Sequence, residues 1–155
     1  MNLLKKKKLK RKCFKKSNSF KARGNVVVKQ GDSIELFSEN LDYDGNNRKI
    51  IAKKNVIFNS NNSNLKTQIL FHDRDLKEIY FEKGGVIKDS TNTIKSTEGK
   101  YFLESSKYEF KERVNVYNND NDIKSIKLDY YSNTEKVFFY GPTVITGKDY
   151  RIFSE

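Results

Sequence analysis

A chain of 155 residues fits one folding unit, and its 31 Lys and Arg against 20 Asp and Glu give a formal net charge of +11. The excess is confined to one end: Met1 to Arg23 holds eleven basic residues and no acidic one, leaving 20 basic against 20 acidic from Gly24 onward. A neutral body offers no broad basic face for phosphate backbones, which excludes nucleic-acid binding by the body and leaves only the tail for a cytosolic anion- or nucleic-acid-binding role.

Taken in chain order, residues 1–23 read as a basic, disordered tail or the remnant of an export signal. A secretory signal needs about 7–15 apolar residues after its basic start. Here Leu3, Leu4, Leu9 and Phe14 are isolated among lysines. Cys13 is the sole cysteine, so neither a disulfide framework nor a thiolate metal set can be assembled, and it reads as incidental. No stretch of the chain approaches the length of a membrane-spanning helix.

From Gly24 to Glu155 the apolar residues alternate, the signature of strands with one buried face. Pairs run Val26 and Val28, Ile34 and Leu36, Leu41 and Tyr43, Ile50 and Ala52, Val56 and Phe58, then Ile79 and Phe81, Tyr108 and Phe110, Val114 and Val116, Leu128 and Tyr130, Val137 and Phe139. Turn residues separate them at Gln30-Gly31-Asp32, Asp44 to Asn47, Asn59 to Asn64, His72 to Asp75, Asp89 to Asn92, Glu104 to Lys107, Asn118 to Asp122 and Ser132 to Thr134. Nothing in the body reads as a helix.

A longer period overlies this one. The phrases Ser38-x-x-Leu41-x-Tyr43, Lys66-x-x-Ile69-x-Phe71, Ser96-x-x-Gly99-x-Tyr101 and Ser125-x-x-Leu128-x-Tyr130 return their aromatic after 28, 30 and 29 residues. Between them falls a step to valine: Gly24-Asn25-Val26, Lys54-Asn55-Val56, Gly84-Gly85-Val86, Glu112-Arg113-Val114 and Gly141-Pro142-Thr143-Val144. One supersecondary unit is stacked. The expected fold is all-β: an elongated antiparallel β-jellyroll or β-roll of two facing sheets built from repeats of about 29 residues, occupying residues 24–155. The run Tyr150 to Glu155 matches Ile34 to Glu39, after which earlier copies continue. The stack is therefore expected to expose an edge strand that invites addition of another chain.

These phrases resemble the OstA-like family, the β-jellyroll domains of LptA-, LptC- and N-terminal LptD-type proteins of lipopolysaccharide transport. The resemblance rests on Gly24-Asn25-Val26 with Gly31-Asp32, on Ser38 to Asp44, on Ile50 to Val56 and on Ile123 to Tyr130, and covers essentially all of Gly24 to Glu155. It implies a periplasmic lipid-bridging protein of outer-membrane assembly whose apolar interior holds acyl chains. It also implies lipopolysaccharide or a related lipid, and other OstA-like transport components joined edge to edge, as partners. Head-to-tail self-association belongs to the same expectation, and no enzyme activity, cofactor, metal or nucleic acid does.

Alternation alone leaves two readings of the inward set Val26, Val28, Ile34, Leu36, Leu41, Tyr43, Ile69, Phe71, Tyr101, Leu128, Tyr130 and Phe139. These residues either line a cavity or fill a dry core. The resemblance implies a groove over part of the length, and the neutral body leaves the lipid's phosphates at most to local lysines at its rim, such as Lys49, Lys53 or Lys54, and not to a general positive field. The competing reading is a β-repeat scaffold that assembles by edge-strand addition and carries no lipid. His72, the only histidine, reads as a solvated turn residue with no zinc or triad partners. Asn118 to Asp122 lacks the Gly and distant Glu of a calcium loop and reads as a turn. Gly84-Gly85 precedes no helix, so it reads as a bulge and not as a phosphate cradle.

Overall fold

The computed structural model describes residues 12–13, 18–60 and 63–155. Among these, all regular elements are strands. The N-terminal group is β1 (Lys12–Cys13), β2 (Ser19–Gln30), β3 (Ile34–Asp44), β4 (Lys49–Ser60) and β5 (Ser63–Asp73). Four short strands follow, β6 (Glu78–Phe81), β7 (Gly85–Lys88), β8 (Thr93–Ser96) and β9 (Glu98–Phe102). The last group is β10 (Lys107–Tyr117), β11 (Asp122–Tyr131), β12 (Lys136–Tyr140), β13 (Thr143–Thr146) and β14 (Arg151–Ser154). All fourteen belong to one antiparallel sheet.

That sheet is creased along a line that the sequence marks. The pairing register shifts between Arg23 and Val26, between Phe37 and Asn40, between Lys53 and Val56, and between Lys111 and Val114. Left-handed backbone occurs on the bulged strands at these steps, at Gly24 and Asn25 of β2, Lys54 and Asn55 of β4, and Glu112 and Arg113 of β10, with φ from 49° to 79°. Gly84 and Gly141 supply the same conformation between β6 and β7 and between β12 and β13. A bulge of this kind bends a strand sharply. The crease divides the sheet into a first jaw, containing Ile34–Ser38, Val56–Ser60 and their neighbours, and a second jaw, containing Asn40–Asp44, Lys49–Lys53 and theirs.

Small hydroxyl residues brace the crease. Ser38, Thr67, Ser96 and Ser125 are buried there, and each donates its hydroxyl to a carbonyl two residues on, at 3.0, 3.3, 2.8 and 3.1 Å. Jaws that converge leave no volume for a large side chain, and the bulge frees a carbonyl that must be satisfied. Serine or threonine meets both needs. The structural repeat is therefore Ser38, Thr67, Ser96, Ser125, and the second copy reads Thr67-x-x-Leu70-x-His72. The phrase Lys66-x-x-Ile69-x-Phe71 is one residue out of register.

At the far ends of the second jaw, four turns repeat with Arg48, Lys77, Ser106 and Glu135 at φ of 50° to 55°. Their carbonyls link successive units: Arg74 N–H donates to Arg48 O, Leu103 N–H to Lys77 O and Ser132 N–H to Ser106 O, all at 3.0–3.1 Å. The stack is thus hydrogen-bonded through its loops as well as its strands.

Strand β2 begins at Ser19, ahead of the boundary expected at Gly24. The reason is local: Phe20 and Ala22 continue the inward alternation, pairing with Tyr43 and Leu41, and Arg23 binds Asp42 at 2.7 Å. Most of the remaining basic segment, residues 1–11 and 14–17, lies outside the described residues.

Candidate functional site

Two rows of side chains face each other across the gap. Cross-strand pairing in the first jaw runs Val28, Leu36, Phe58, Leu65, Ile87, Ile94, Val116, Ile123, Ile145, Ile152. In the second jaw, toward the turns, it runs Phe20, Tyr43, Ile50, His72, Ile79, Tyr101, Tyr108, Tyr130, Val137. Nearer the crease stand Ala22, Leu41, Ala52, Leu70, Phe81, Gly99, Phe110, Leu128 and Phe139.

Of the residues expected to face inward, Val26, Val28, Ile34, Leu36, Leu41, Tyr43, Tyr101, Leu128, Tyr130 and Phe139 belong to or pack against this single core. Ile69 and Phe71 do not. They occupy the outer face, where Ile69 pairs with Lys53 and Phe71 stacks on Tyr80 at 4.8 Å. A one-residue slip in a strand exchanges its faces, so the inward positions belong to Leu70 and His72.

His72 thus sits in the aromatic row, between Ile50 and Ile79, and not in a solvated turn. Burial, and then the Arg74 charge, hold its imidazole below the usual histidine range. Tyr101, Tyr108 and Tyr130 form a stack with ring separations of 4.2 and 5.9 Å. Burial pushes the Tyr108 phenol up to about 12. Its hydroxyl lies 3.2 Å from Ser63 Oγ, a hydrogen bond that joins the two jaws.

The gap is not uniform. At mid-length Phe58, Leu65, Phe81 and Phe110 close it to a void of about 10 Å³, room for a single water. Gly99 takes the place held by leucine in the other copies because Phe81 fills it: a Cβ on Gly99 would lie 2.4 Å from that ring. Toward the last strands the jaws part. Ile94, Val116, Ile123, Leu128, Tyr130 and Phe139 enclose an apolar pocket of about 110 Å³. Beside it, between the turn rows, opens a mouth of about 620 Å³ lined by Tyr101, Tyr108 and Tyr130 together with Ser, Thr and Asn side chains.

The lysines expected at the rim lie elsewhere. Lys49 and Lys53 point outward and bind Asp73 and Asp42, at 3.3 and 3.4 Å. Lys54 occupies a left-handed position on the crease itself, where the two jaws join. The oxygen-rich Asn118 to Asp122 segment is a turn whose Asn118 Oδ1 accepts from the backbone N–H groups of Asp120 and Asn121. Gly84 forms its part of the crease, and Gly85 passes under the Phe81 ring.

Comparison with known proteins agrees with this architecture. Among solved structures the chain is similar to LptH, described as the LptA-homologous periplasmic component of the lipopolysaccharide transport device of Pseudomonas aeruginosa. The TM-score is 0.57 at 14% identity, covering 76% of this chain and 83% of that one, which shows a shared fold. No curated protein matches the chain in sequence. The model of the OstA-like protein family matches residues 10–126, most of the creased sheet, and the chain belongs to that family.

Proposed function

We propose that this protein is a non-catalytic segment of a lipopolysaccharide-transport bridge, acting in the periplasm and sheltering acyl chains between its jaws. The observation that carries this reading is the apolar pocket of about 110 Å³ continuous in lining with an open mouth, in an OstA-like chain whose fold is shared with LptH, a periplasmic component of a lipopolysaccharide transport device. Each CH₂ moved from water to an apolar site is worth about 0.8 kcal/mol, so half-sheltering a dodecanoyl chain gives roughly 5 kcal/mol. Hydrophobic burial alone supplies affinity, and no reacting group is required.

Edge-strand addition would extend the bridge. Strand β14 pairs with β13 at the end of the strand order, and its Ile152 and Phe153 are exposed. An open edge with apolar side chains accepts another strand, here from a second copy or another OstA-like component.

The packed centre favours a second reading, a dry β-scaffold that assembles without lipid. Displacement of a hydrophobic dye by lipopolysaccharide separates the two. Saturable displacement at micromolar lipid supports the carrier, and none supports the scaffold.

A further inference from the structure

The chemistry of the mouth selects among glycolipid headgroups. Its described lining includes the hydroxyls of Ser63, Ser90, Thr91 and Ser132 and the amides of Asn92 and Asn133, with the phenol of Tyr130 between. Two carboxylates, Asp89 and Glu135, stand among them, and no Lys or Arg does. The neighbouring cations face away: Lys88 pairs with Thr93, one position out of phase with inward Ile87, and Lys136 pairs with Tyr131, out of phase with inward Val137.

The field of these carboxylates reaches the site. After burial, the negative charges of Asp89 and Glu135 are what hold the Tyr130 phenol above its usual range. Asp89 is fixed in place, since its Oδ1 accepts from the Thr91 and Asn92 N–H groups at 2.8 and 2.7 Å. A dianionic phosphate brought here would meet like charge in a partly desolvated space with no Lys or Arg among the described lining residues to answer it. A sugar carrying only hydroxyls would find donors, acceptors and the exposed edges of a tyrosine stack.

We infer that the mouth receives a neutral sugar headgroup, so that the favoured cargo is an acylated glycan without free phosphate at the end that enters the protein. This rests on the lipid-carrying reading above and adds the headgroup charge to it. The acyl chains would take the apolar pocket beside Leu128 and Phe139, and the sugar would cap it at Tyr130.

The test uses a hexa-acylated glucosamine disaccharide in two forms, bis-phosphorylated and phosphate-free, titrated calorimetrically at low ionic strength into the full chain. The phosphate-free form is expected to bind on the order of tenfold more tightly, the effect of about one like-charge pair. The variant Asp89→Asn with Glu135→Gln, which keeps the turn's acceptor oxygen, should bring the ratio close to one. Equal binding of the two forms to the native chain, or preference for the phosphorylated one, overturns the inference and leaves the carrier reading standing. Binding of neither overturns both. A ratio unchanged in the double variant, with strand-type circular dichroism retained, also overturns it.

Discussion

Single side chains decide how tightly the jaws close. Phe81 and Gly99 act as a complementary pair, the ring occupying volume that leucine fills in the other copies. Gly99→Leu, which restores the repeat, should therefore destabilise the fold by about 1–3 kcal/mol through overpacking. Combining it with Phe81→Ala should recover part of that loss in a denaturant double-mutant cycle. His72 makes a pH-dependent contribution. Its folded-state affinity for protons is depressed by burial below the unfolded value near 6.5, so the stability it confers is complete above that value and is lost as pH falls through the depressed one. His72→Tyr, matching Tyr43, Tyr101 and Tyr130, should flatten the fall in urea midpoint between pH 7 and pH 5, leaving the steeper carboxylate-driven loss at lower pH. That loss is expected because Asp73, which accepts the N–H groups of Asp75 and Leu76, also has its proton affinity lowered in the fold.

At the scale of the strand, the crease carries the architecture. Ser125 donates to Lys127 O and lies 2.9 Å from Thr143 Oγ1, tying β11 to β13 where the jaws meet. Ser125→Ala removes the hydroxyl with little change in volume and strands its buried polar partners, at a cost of about 1–3 kcal/mol. The same measurement on Ser132→Ala, in an exposed turn, should show a change of under about 0.5 kcal/mol. Much of this level was legible in the sequence. Alternation, turn residues and the steps to valine located the strands and bulges because each expresses local backbone chemistry. The phase of the second repeat is not legible locally, because Lys66, Ile69 and Phe71 satisfy the same pattern as Thr67, Leu70 and His72 displaced by one residue, and a polar histidine in an aromatic row hides the true phase. The direction of Lys49 and Lys53 follows from cross-strand pairing with acidic partners, which no local pattern displays. Closure at mid-length was equally hidden, since it depends on Phe58, Phe81 and Phe110 meeting from strands far apart in the chain.

The whole molecule is a pair of jaws joined along a braced crease, shut at the centre and open toward the last strands. The Tyr108–Ser63 hydrogen bond holds the jaws together at the boundary between closed and open lengths. Lipid carried in the way proposed would extend past the 110 Å³ pocket only if that boundary moved, which makes Tyr130, on the open side, the position that reports on cargo. The most direct test replaces Tyr130 with a photo-crosslinking amino acid and irradiates living cells that export the protein, with position Phe71 on the outer face as the control. The lipid-carrying reading requires a lipopolysaccharide adduct from position 130 and none from position 71. Absence of a lipid adduct at position 130, or equal labelling at both positions, would contradict it.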